Sequence, residues 1–146
     1  MKHPFSVPTH LPPNLVRVVA YWKGLLRGNA TMPFWDDVRL IDLPDLADRL
    51  LLIDVFDLPE RFRFNTVGKT LNDEAMAGRF IDELDLGWPF EFLPAQCSVT
   101  VESATPTFFH QAGSDGFGSA RPYFRLLLPL WGEGRIGMLL GAVDLE

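Results

Sequence analysis

The chain reads as an α+β fold, a single antiparallel sheet with helices, and three observations carry that reading. Candidate elements run helix, two strands, short helices, one longer helix, three strands. Strands joined by tight turns must be antiparallel, and a helical crossover between the groups lets both share one sheet. With 146 residues, 47% of them apolar and 22% charged, the chain suits one core and needs neither metal nor disulfide to fold.

Residues 1–13 hold Pro4, Pro8, Pro12 and Pro13, too many for helix or ladder, and read as an extended arm on the surface. The folded domain is expected over residues 14–146. Leu15, Val18, Val19, Trp22, Leu25 and Leu26 recur at helical spacing, so the first helix is expected over residues 14–27 with Gly28 as its stop. A connector with Pro33 and the acids Asp36 and Asp37 leads to a short helical turn at 44–49. Residues 50–56 and 61–67 are β-rich and flank the turn Asp57-Leu58-Pro59-Glu60, which predicts a hairpin. Short helical segments follow at 70–76 and 79–84, then a longer helix over 89–103 carrying Phe92, Leu93, Cys97, Val99 and Val101. A strand at 105–111, a glycine loop at 113–120 and strands at 121–130 and 135–145 complete the chain.

In the strand from Tyr123 to Leu130, alternation sorts Phe124, Leu126, Leu128 and Leu130 onto one face, and Tyr123, Arg125, Leu127 and Pro129 onto the other. The first set is expected to be core. Both sides of the last strand are apolar as well, so both faces of the sheet need cover, and the first helix is the element left for the second face.

Several runs together resemble a family of small bacterial, chiefly alphaproteobacterial, stand-alone PAS-like proteins. They are Tyr21-Trp22 through Leu26-Arg27-Gly28, Met32-Pro33, Leu50-Leu51-Leu52-Ile53-Asp54-Val55, and Arg61-Phe62-Arg63-Phe64 closing on Val67-Gly68. Gly78-Arg79-Phe80-Ile81-Asp82-Glu83-Leu84-Asp85, the Tyr123 to Leu130 run and Met138-Leu139-Leu140-Gly141-Ala142 extend the likeness to nearly everything from Asn14 onward. The resemblance implies a five-stranded antiparallel PAS sheet, helices over one face and an N-terminal helix on the other. It also implies a non-enzymatic sensory or ligand-binding domain that signals through a protein partner. The chain departs from the family at Phe34 and Trp35, where an arginine is usual, and at Asn65 and Lys69 around the Val-Gly step.

Chemistry is sparse. Cys97 sits where light-sensing flavin PAS domains keep a reactive cysteine, but Ala95-Gln96-Cys97-Ser98-Val99 does not resemble their Asn-Cys-Arg-Phe pattern, and no Lys, Arg or His lies within four residues to acidify the thiol. His3, His10 and His110 are isolated, which argues against haem or a metal site, and no cofactor is expected. Gly113-Ser114-Asp115-Gly116-Phe117-Gly118 feeds a strand and not a helix, so it is no phosphate cradle. A small cone-shaped enzyme of the isomerase or dehydratase type is the enzymatic alternative, with Asp54 and His110 as its acid–base candidates. A purely structural interaction module with a filled core is the other.

The space between the longer helix and the sheet is the expected ligand pocket. Phe64, Trp88, Phe92, Cys97, Phe108, Phe124 and Met138 are its candidate lining, and a small apolar or aromatic molecule is the ligand it would take. Thirteen Lys and Arg against nineteen Asp and Glu, net −6 with no basic cluster, disfavour nucleic acid and anionic membrane. No run is long enough to span a bilayer and no secretory leader is evident, so a cytoplasmic place is expected. The first helix, ~21 Å long, cannot cover five strands alone. That predicts a homodimer through Val16, Val19, Ala20 and Tyr21 of the helix and Leu127 and Leu139 of the sheet.

Overall fold

A computed structural model describes residues 5–71, 75–112 and 121–145. Helix α1 spans Pro13–Gly24 and α2 spans Leu93–Ser103. Strands β1 (Leu50–Phe56), β2 (Arg61–Val67), β3 (Thr107–Gln111), β4 (Tyr123–Gly132) and β5 (Arg135–Leu145) form one sheet in the order β2-β1-β5-β4-β3, every neighbour antiparallel. The early hairpin therefore lies beside the last strand, as the crossover argument requires. The fold is α+β and PAS-like, with α2 on one face and α1 on the other.

β1, β2 and β5 have the expected bounds, because turn residues frame each one. α1 ends three residues early. Leu25 and Leu26 donate to Trp22 and Lys23 three residues back, and Arg27 leaves the helix to pair with Asp37 at 2.5 Å. α2 begins at Leu93 and not at residue 89, since the chain turns at Phe90 to Phe92, with Phe92 left-handed at φ 60° and Pro94 in the first helical turn. β3 begins two residues later than expected, and β4 runs through Trp131 to Gly132, leaving Glu133 and Gly134 as the turn. The glycine loop at 113–120, residues 72–74 and His3 fall outside the described residues, and the described ends of the expected 70–76 helical segment, Thr70-Leu71 and Ala75-Met76, are turn, bend and irregular chain and not helix. The arm is not a purely surface segment at Phe5: its ring is buried 6.2 Å from Phe109 and its carbonyl accepts the Phe108 N–H at 2.8 Å.

Cross-strand partners share a face, which sorts the sheet. Leu50 pairs with Ala142 and Ala142 with Leu126, and this outer set, with Leu128, Leu130 and Leu140, meets Leu15 and Val18 of α1. Trp22 of α1 donates its indole N–H to the Pro129 carbonyl at 2.9 Å. The inner face carries Ile53, Phe64, Arg125, Leu127 and Leu139 beneath α2. Two register shifts break the alternation, one admitting Asn65 between the β1 and β2 pairs, the other admitting Gly137 between β4 and β5.

Candidate functional site

The expected pocket does not assemble as the alternation suggested. Phe64 and Cys97 are fully buried on the inner side, where the Phe64 ring lies 5.4 Å from Phe90. Trp88 stands at the rim, donating to the Arg121 carbonyl at 2.8 Å and meeting Tyr123 edge-on. Phe92 is 65% exposed. Phe108, Phe124 and Met138 belong to the opposite, outer face, since Phe124 pairs with Asp144, Phe108 with Leu126 and Met138 with Leu130. Period two separates two faces but does not say which meets α2, and both faces of β4 are apolar enough to qualify.

What occupies the inner space is Arg125, wholly buried. Its Nε donates to Gln96 Oε1 at 2.8 Å, Nη1 to the Pro89 carbonyl at 3.0 Å and Nη2 to the Glu91 carbonyl at 2.8 Å. The guanidinium also lies 4.8 Å from the Phe109 ring centre. α2 supports this with an inward stripe of Leu93, Gln96, Cys97 and Thr100, at i, i+3, i+4 and i+7, half of it polar. Gln96 donates to Thr107 at 3.1 Å, and the Thr100 and Thr107 hydroxyls share a hydrogen bond at 2.6 Å. Tyr123 gives its hydroxyl to Glu91 at 2.5 Å.

Burial sets the electrostatics of this cluster. It lowers the Arg125 pKa, the direction desolvation gives a cation. The Tyr123 hydroxyl is raised by burial first and by its bond to Glu91 second. Burial pushes the Cys97 thiol up to about 12, so it is no nucleophile at neutral pH. Among the described residues no buried side-chain nitrogen or oxygen lacks a partner. Arg125, Gln96 and Thr100 were not among the candidate residues; the available signal was a charge in the middle of an apolar strand, which must find partners or unfold the strand.

Open space lies elsewhere. A cleft of about 220 Å³ borders Met76, Leu84, Trp88 and Phe90 beyond the rim of the inner face. A larger one of about 260 Å³ opens on the outer face, lined by Trp35, Asp54, Phe56, Arg63, Asn65, Arg135 and Met138 among others and by no residue of α1. There Arg63 donates Nε and Nη2 to Asp54 Oδ2 at 3.1 and 3.0 Å, and Asn65 Nδ2 donates to Oδ1 at 3.3 Å. Trp35 rests against Gly132, where a Cβ would meet its Cδ1 at 2.1 Å, so only glycine lets the indole approach so closely.

Asp54 and His110 both face outward, but β5 and β4 separate their strands, roughly 14 Å at the usual strand spacing. The acid–base pair of the enzymatic alternative is therefore not brought together. His110 instead stacks on Phe124 at 4.4 Å. Of the interface candidates, Val16 is 50% exposed, Ala20 is exposed, and Val19 and Tyr21 are half-buried. Leu127 and Leu139 are fully buried on the α2 side and not on the outer face, so they cannot join α1 in a surface. Among the described residues no cluster of His, Cys, Asp or Glu could hold a metal ion.

No family model and no curated protein matches the chain. Among solved structures, the chain is similar to a fungal LOV domain photoreceptor at 14% identity and a TM-score of 0.43, over 91% of this chain and 89% of that one. The sheet order and the placement of the helices are those that the resemblance to PAS-like proteins implies.

Proposed function

We propose that this chain is a non-enzymatic PAS-like signalling domain that acts through a protein partner by surface contact, without a ligand between α2 and the sheet. The observation that carries the reading is the closure of that space by Arg125, every donor nitrogen of which is bonded to the protein's own carbonyls or to Gln96. A molecule entering there would have to displace a buried cation from three acceptors, which costs far more than a small apolar ligand returns. The same closure favours an interaction module over an interior chemosensor. The separation of Asp54 from His110 and the raised Cys97 thiol support a non-catalytic role.

The resemblance to bacterial stand-alone proteins supports a cytoplasmic setting, and no helix among the described residues is long and apolar enough to cross a membrane. A homodimer remains part of the proposal, narrowed to the exposed side of α1 around Val16 and Ala20. Native mass spectrometry of protein from its own host, run beside a denatured sample, tests these points together. The expected native mass is that of two chains with nothing added. A stoichiometric small molecule that is retained natively, even when Trp35→Ala has altered the outer cleft, overturns the closed-interior reading. A lone chain at micromolar concentration overturns the dimer.

A further inference from the structure

The outer cleft has the makings of a recognition site that the interior lacks. Both register shifts of the sheet open onto it, since Asn65 and Gly137, the inserted residues, are among its lining. Its wall is Trp35, packed against the Gly132 backbone yet 45% exposed, an aromatic surface partly open to solvent. Its floor is polar and ordered. Asp54, with a side chain 14% exposed, is fixed by Arg63 and Asn65. Those bonds use Arg63 Nε and Nη2 and leave Nη1, while Arg135 gives Nη1 to the Val55 and Ile136 carbonyls and leaves Nη2.

Charge and size narrow the occupant. The lining holds two cations, Arg63 and Arg135, and two anions, Asp54 and Glu133, and Asp57 lies 3.8 Å from Arg135. Such a wall has no net charge with which to draw an ion, but it offers a carboxylate acceptor beside spare guanidinium donors. About 260 Å³ is below the usual range for drug-sized ligands, roughly 300–1,000 Å³, and suits one ring or two fused rings. We propose that this cleft binds a small uncharged planar molecule of the aryl carboxamide or nitrogen-heterocycle class. The ring stacks on Trp35, the donor edge faces Asp54 and the acceptor edge faces Arg63. The proposal is independent of the closed interior and of any protein partner.

Three probes of one shape separate the possibilities: benzamide, benzoate and benzamidine, neutral, anionic and cationic. In NMR titrations of the intact protein, benzamide is expected to shift the Trp35 indole N–H and the Met138 methyl at millimolar concentration, with benzoate and benzamidine at least tenfold weaker. Trp35→Ala should weaken benzamide at least tenfold, read at Met138, whereas Trp35→Phe should hold it within threefold, because base-sized rings stack on any aromatic face. Asp54→Asn keeps an acceptor for Arg63 but removes a negative charge, so it should move the preference at least threefold toward benzoate even if Trp35→Ala proves unfolded. Absence of benzamide shifts at Trp35 and Met138, equal binding of all three probes, full affinity in a folded Trp35→Ala, or an unmoved preference in Asp54→Asn would each overturn the proposal.

Discussion

The two faces of the sheet are each covered by one helix of similar length, Pro13–Gly24 outside and Leu93–Ser103 inside, and they end up in opposite conditions. The inner face holds a buried cation, a glutamine and two threonines, and it is closed. The outer face meets α1 through Leu15, Val18 and Trp22, an apolar stripe, and it is open at its lower end. Enclosure here follows from saturation of polar groups and not from hydrophobicity. Each donor of Arg125 fixes a loop carbonyl or the Gln96 side chain in place, so α2 and the chain leading into it cannot lift without exposing unpaired groups, whereas α1 meets the sheet mainly through non-directional contacts, with the buried Trp22 to Pro129 hydrogen bond near its end.

The largest expected effect breaks the closed side. Arg125→Met keeps much of the volume but leaves Gln96 Oε1 and the carbonyls of Pro89 and Glu91 without their donors. Buried orphaned acceptors cost ~1–3 kcal/mol each, so a loss of at least about 3 kcal/mol is expected in urea unfolding. A variant of unchanged midpoint would mean that closure does not depend on the network.

A pair of glycine substitutions sharpens the same contrast with a smaller effect. At Gly141 a Cβ would meet Leu51 Cδ2 at 2.6 Å and Leu127 Cδ2 at 3.1 Å, side chains that are 0% exposed and have nowhere to go. Gly141→Ala should therefore cost about 1–3 kcal/mol. At Gly132 the obstacle is the half-exposed Trp35, which can swing into solvent, so Gly132→Ala should cost about 1 kcal/mol or less while changing the Trp35 indole resonance. Equal losses at the two sites would erase the distinction between the faces.

The smallest effect lies at the surface and depends on pH. Hydrogen bonds from Arg61 to Asp82 and from Arg17 to Asp45 lower both carboxyl pKa values below the ordinary 3.8. A lowered folded-state value means that the added stability is present above that ordinary value and disappears as the pH falls through the lowered one. Both pairs are solvent-exposed and screened, so Asp82→Asn should leave stability at pH 7 nearly unchanged and slightly flatten its fall in acid, as thermal melts from pH 7 down to 2 can show.

Much of the frame was legible in the chain. β1 and β2 are β-rich runs that flank Asp57-Leu58-Pro59-Glu60, and Arg135 follows a Glu-Gly turn, so their limits could be read directly. The faces could not. The shift at Gly137 puts Ile136 and Met138 on opposite sides although they are two apart, and a strand as apolar as Tyr123 to Leu130 gives no sign of which side α2 will choose. Arg125 decides it, through partners that lie at residues 89 to 96 and become neighbours only in the fold. The outer cleft was hidden for a related reason: Trp35 sits in a proline-bearing connector that shows no periodicity, and its place is fixed by a glycine 97 positions later.

The short contact between Phe5 and Phe108 bears on how the protein behaves in a crowded solution. β3 is an outside strand of the sheet, and strands in that position present backbone groups to which any extended chain can add itself. The Phe5 carbonyl occupies the Phe108 N–H and its ring packs beside Phe109, so the arm guards that border at this point. Prolines suit such a guard, because they lie against a strand without offering a second row of donors for a further chain to join. A cut after Phe5 would therefore do more than shorten the arm, since it would leave a sticky border on an otherwise well-sealed domain.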